Sequence, residues 1–217
     1  MAKTKYTLII VILLSFAFPI QSIIIKFASG QVDNFQSGEK QNNIPFSQEK
    51  PEIDVSIEGT SSDDKIKGGE GNDEINGRLG EDMLYGGRGD DELDGDEGDD
   101  VVKGEQGNDE IEGGEGNDKL SGERGMDVIT GNDGDDTLYG GRGDDQIDGG
   151  EGNDQIDGGE GVDILIGGLG SDTFTCDQFD TIFDYKSDQG DKKVGPCSIV
   201  DNSSVSNSPQ ISQDIIA

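Results

Sequence analysis

The chain has 217 residues, with 48 Asp and Glu against 16 Lys and Arg, no histidine and a net charge of −32. Hydrophobic residues make up 29% and glycine fills 36 positions, so composition alone describes a solvated chain whose negative field repels nucleic-acid phosphates and anionic lipid. The missing histidine excludes His-dependent zinc sites, Ser-His-Asp triads and imidazole general bases.

Residues 1–30 have the layout of an export signal. Lys3 and Lys5 give a positive start, and residues 7–18 form an apolar run of signal-peptide length. Pro19 and Gln21 break the run before Ile23, Ile24 and Ile25, and Ala28-Ser29-Gly30 offers small residues for cleavage. The competing assignment is an uncleaved membrane anchor reaching Ile25, since the combined stretch approaches the ~20 residues a span needs. Either assignment leaves the acidic part secreted or on the cell surface. Residues 31–58 are polar, carry Pro45 and Pro51, and are expected to be a flexible linker. At its end Ile53, Val55 and Ile57 alternate with Asp54 and Ser56, the pattern of a capping strand.

Residues 59–175 repeat one nine-residue phrase 13 times without insertion. Gly68-Gly69-Glu70-Gly71-Asn72-Asp73-Glu74-Ile75-Asn76 is a clean copy. Position one is always glycine, and position four is glycine except at Ser62. Position eight is always apolar, from Ile66 to Phe174. Position six is always aspartate: Asp64, Asp73, Asp82, Asp91, Asp100, Asp109, Asp118, Asp127, Asp136, Asp145, Asp154, Asp163 and Asp172.

Glycine allows positive φ and close backbone approach, so positions one to six predict a tight loop. The last three residues, with one apolar side chain pointing inward, predict a minimal strand. Two loops and two strands make a coil of 18 residues, and the array supplies 6.5 coils stacked over about 30 Å. Stacking sets the position-six aspartates in rows. Within 59–175 there are 35 Asp and Glu against 8 Lys and Arg, a net of −27, so those rows repel. A hard divalent cation answers this, because Ca2+ takes six to eight oxygen ligands from carboxylates and bare main-chain carbonyls. Binding and folding are then one event.

The array resembles the RTX (haemolysin-type) calcium-binding nonapeptide repeat over slightly more than half the chain. The resemblance implies an all-β, right-handed parallel β-roll solenoid, with each Ca2+ between repeats n and n+2 on one side. Thirteen loops allow eleven such pairs, and eleven ions carry +22 against the −27. The implied metal residues are the position-six aspartates from Asp73 to Asp172. The first copy, Gly59-Thr60-Ser61-Ser62-Asp63-Asp64, lacks two glycines and is expected to hold a weak site or none. Position two departs from glycine at Arg78, Asp96, Glu105, Glu123 and Asn132, which costs of order 1 kcal/mol each if that position needs positive φ. Many relatives of this kind leave the cell by a dedicated one-step channel without an N-terminal signal; the leader here implies general export instead.

Residues 176–200 are expected to be a C-terminal β cap that hides the last open edge. Residues 172–176 and 180–185 carry strand patterns. Cys176 and Cys197 are the only cysteines and, outside the cell, most simply pair; two free thiols are the alternative. Residues 201–217 are Ser- and Asn-rich and have the composition of a disordered tail, in which Asn202-Ser203-Ser204 is a weak glycosylation signal.

Other motifs carry less. Arg88-Gly89-Asp90 and Arg142-Gly143-Asp144 spell an adhesion tripeptide, but the repeat already supplies the glycine. Adjacent carboxylates such as Asp90-Asp91 lack the cleft glycosidase chemistry needs. EF-hand loops require flanking helices, and none is predicted. With no nucleophile elbow or phosphate loop, an enzyme is not expected. The sequence points to an extracellular calcium-binding module, structural or adhesive, with a matrix or surface partner unspecified. The alternative is a calcium-responsive accessory chain of a secreted effector.

Overall fold

The computed structural model describes residues 53–200, together with two short strands, Ile9–Ile10 and Ile25–Phe27. The leader, all but the last residues of the linker and the 201–217 tail otherwise lie outside the described residues. Ile25–Phe27 pairs antiparallel with both Ile9–Ile10 and Val55–Glu58.

The described residues form an all-β parallel solenoid of about eight turns, with no helix. Each nonapeptide gives one strand, and successive strands join opposite sheets of 8 and 11 strands. Neighbours within a sheet are therefore 18 residues apart in sequence, as Ile75 against Leu93 and Leu84 against Val102. The extra turns come from beyond the array. Val55–Glu58 stacks in parallel on the strand Glu74–Leu79, with Ile57 beside Ile75. Past the array, Thr181–Ile182, Lys192–Val194 and Ser198–Ile199 extend the same two sheets.

The position-eight side chains form the core. All 13, from Ile66 to Phe174, are buried, and Ile182 continues the column. Strand alternation turns positions seven and nine outward, so each repeat contributes a single apolar side chain. Two small residues of burial per coil make a thin core, and the backbone ladder carries much of the architecture.

The strands are longer than expected. They run six residues, such as Glu92–Glu97, from position seven through position three of the next repeat. Only positions four to six turn. The ladder skips the position-one glycine and resumes beyond it, pairing Arg78 with Asp96 and Leu79 with Glu97. Glycine at position one thus marks a close approach inside a strand rather than a loop.

Position two does adopt positive φ. Arg78, Asp96, Glu105, Glu123 and Asn132 sit at φ 72–80°, in the left-handed region that costs a side chain of order 1 kcal/mol. Position four is stricter. Gly107 has φ +138°, and a Cβ there would collide with the carbonyl of Gly89 one coil away. Five side chains are tolerated at position two, where φ falls to 72–80°, and none beyond Ser62 at position four, where the glycines keep φ of 117–158°.

Candidate metal centre

All twelve position-six aspartates from Asp73 to Asp172 are buried, at 0–2% exposure. The three-residue turn aims each carboxylate back along its own coil. One oxygen, Oδ1, accepts a backbone N–H from the preceding coil. Asp73 N–H donates to Asp91 at 2.8 Å, Asp82 to Asp100 at 2.7 Å and Asp100 to Asp118 at 2.8 Å. The ladder starts with Val55 N–H on Asp73 at 2.9 Å and reaches Asp172, which takes Asp154 N–H at 3.0 Å.

The other oxygen has no such partner. In Asp73, Asp82, Asp91, Asp100, Asp109, Asp118, Asp127, Asp136, Asp145, Asp154 and Asp163 the buried Oδ2 makes no hydrogen bond. An orphaned carboxylate oxygen in a buried site is costly. It faces the position-one glycine of its own repeat. A Cβ built on Gly77 would lie 2.5 Å from Asp82 Oδ2 and 2.8 Å from the carbonyl oxygen of Gly95. The missing side chain leaves a small cradle lined by an anionic oxygen and a carbonyl from the next coil. These are the donors a hard cation takes, and they fit calcium. Among the described residues no three Asp, Glu, His or Cys side chains converge as a cluster, so main-chain oxygens would supply most of a ligand set.

Electrostatics point the same way. Burial foremost raises the carboxyls of Asp109, Asp118 and Asp154 to about 7 and those of Asp91, Asp100, Asp127 and Asp145 to about 6. Neighbouring carboxylates add to the rise, and the donated N–H groups oppose it. The sites resist bare negative charge and favour a bound cation or proton.

The ends of the ladder differ. Asp64 Oδ2 accepts Thr60 N–H at 2.6 Å and the Thr60 hydroxyl at 2.8 Å, so the worn first repeat fills its own carboxylate. At the other end Asp180 takes Asp163 N–H at 3.2 Å on Oδ1 and Asp177 N–H at 2.6 Å on Oδ2. Asp191 takes Asp172 N–H at 3.1 Å and Lys186 N–H at 2.6 Å. These two residues continue the aspartate column at spacings of 17 and 19, off the nine-residue phase, which hid them in the sequence. Close by, Asp184 accepts the N–H groups of Gly167 and Gly168, and Cys176 and Cys197 form a disulfide.

A second column was also missed. Position five lies on the exposed rim, and its Asn and Asp side chains accept N–H from the following coil. Asp90 N–H bonds Asn72 at 3.0 Å, Asn108 N–H bonds Asp90 at 2.8 Å and Asn117 N–H bonds Asp99 at 2.8 Å. Adjacent N–H groups in each turn thus bond in opposite directions along the stack. The signal was present as Asn or Asp in most copies, but Glu81, Met126, Val162 and Ser171 blur it.

A scan against protein-family models matches the RTX calcium-binding nonapeptide repeat (4 copies) at residues 58–93, 85–120, 94–129, 112–147, 121–156 and 140–174. A search of curated proteins gives no match.

Proposed function

Because the chain belongs to the RTX calcium-binding nonapeptide repeat family, we propose that it is an extracellular Ca2+-binding protein that folds on its ions and serves as a secreted or surface structural module, adhesive in its contacts. The observation that carries this is the row of eleven buried, unpartnered carboxylate oxygens beside glycine carbonyls. Calcium, when bound, supplies the positive charge that lets neighbouring aspartates stay ionised inside a compact body. The aspartates from Asp73 to Asp163 hold it through Oδ2, while Oδ1 keeps each coil in register with the one before. Asp172, equally buried and near the Lys186 charge, is the last of the set.

On this proposal the roll is right-handed, takes up to about eleven ions between repeats n and n+2, and is closed at its C-terminal end by residues 176–200. Export follows from the leader at 1–30, and the disulfide accords with an oxidising compartment. Only the repeat module is matched by a family model, and no catalytic role is assigned to the chain. Equilibrium dialysis of the whole chain against Ca2+ tests the proposal. About eleven ions should bind as β-structure appears. A folded roll that takes up no calcium would overturn it.

A further inference from the structure

The core, the coil packing and the metal sites constrain positions one, four, six and eight, and leave the outward positions free. Those free positions are sorted by sheet. The array has eight cations, and seven lie on the strands of the eight-stranded sheet: Lys65, Lys67, Arg88, Lys103, Lys119, Arg124 and Arg142. Five carboxylates share those strands. The facing sheet carries, from Glu74–Leu79 to Ile164–Leu169, eleven carboxylates and one cation, Arg78. A merely solvated surface would not sort its signs by the parity of the repeat.

The sorting is also aligned along the axis. Eight of the eleven carboxylates fall on Glu74–Leu79, Glu92–Glu97 and Glu110–Glu115. The cations of the other face concentrate at the same levels, from Lys65–Glu70 to Lys119–Arg124. Two lysines there are engaged within their own face, Lys67 with Glu105 at 2.7 Å and Lys103 with Glu123 at 2.8 Å. Lys65 and Lys119 instead stand over the Tyr85 and Tyr139 rings, at 5.2 and 6.0 Å from the centroids. Both faces advance by one strand per coil, so rows on one face match rows on the other in spacing.

We propose that the partner of the basic face is the acidic face of a second copy of this chain, rolls lying side by side with their axes aligned. The contact is heterologous: it uses two different faces of each copy and leaves one of each free, so it propagates into rows. Charge complementarity steers it, and like faces repel. It rests on the calcium-loaded roll proposed above, since sheets must form before faces exist. Dichroism reads folding and sedimentation reads association, so the two can fail separately.

The test is sedimentation velocity of the full chain in calcium at low and high salt. Association should rise with concentration and fall at least tenfold between about 0.05 and 0.5 M salt, where screening shortens to a few ångströms. Lys65→Glu with Lys67→Glu and Lys119→Glu makes both faces acidic. Glu74→Lys with Glu92→Lys and Glu110→Lys cuts the acidic face from eleven carboxylates and one cation to eight and four. Each variant alone should associate more weakly while keeping its calcium-induced dichroism, and mixing the two should restore it. Parent chain that stays monomeric at low salt overturns the proposal. So does a both-acidic variant that associates as the parent does, or a parent monomer that shifts only when a soluble polyanion such as heparin is added.

Discussion

The middle and the ends of the solenoid solve one problem in two ways. Both carry aspartates turned into the stack, and in the middle and at the C-terminal end their Oδ1 accepts an N–H from the preceding coil. In the middle, from Asp73 to Asp163, Oδ2 is left bare against a glycine cradle. At the ends, Thr60, Asp177 and Lys186 fill Oδ2 of Asp64, Asp180 and Asp191 with N–H or hydroxyl donors. The difference separates stacking from metal dependence. A coil stacks wherever an aspartate supplies Oδ1, and depends on a cation only where nothing in the chain reaches Oδ2.

The largest effect that can break this comparison is a change of pH without calcium. Burial raises the middle carboxyls, with Asp91 at about 6 and Asp109 and Asp118 at about 7 in the fold, against about 3.9 when exposed in the open chain. Folding therefore favours protonation. That stabilisation is complete below about pH 4 and is lost as pH rises through 6 to 7. Chelated protein should gain β-sheet dichroism as pH falls from 8 to 4, and calcium should abolish the dependence near neutrality.

Single residues come next. Asp118→Ala removes a middle carboxylate, so bound calcium should drop and the titration midpoint rise several-fold. Dialysis and dichroism would read both. Opening the Cys176–Cys197 disulfide with a double Ser replacement should destabilise the C-terminal turns by roughly 3 kcal/mol in the chain-entropy model, with the ion count unchanged. Asp180→Asn leaves one of two accepted N–H groups unmatched and should cost about 1–3 kcal/mol in a denaturant melt, again without losing an ion. The smallest effect belongs to position two. Glu105→Gly should raise stability by about 1 kcal/mol, because φ 76° suits glycine, less a little for the exposed Lys67 pair.

Much of this was legible in the sequence because the phase is strict. The unbroken nine-residue step places Ile75, Leu93 and Ile111 in one column and Asp91, Asp109 and Asp127 in another. The first repeat, lacking two of its glycines, is the one whose Asp64 is satisfied by Thr60. Three things were hidden, each for a physical reason. Glycine-rich positions one to three suggested loop, yet glycine there lets the ladder run on into six-residue strands. The position-five rim tolerates any residue whose own N–H can donate, so Met126 and Val162 interrupt the pattern without interrupting the stack. Asp180 and Asp191 lie off phase because the ladder needs an aspartate at the right place in a coil, whatever the length of the connecting segment.

The most direct test is a thermal melt of the purified chain at pH 8, first in chelator and then with saturating Ca2+. The account predicts no cooperative transition in chelator and a sharp one with calcium. A sharp transition in chelator that calcium leaves unmoved would contradict it.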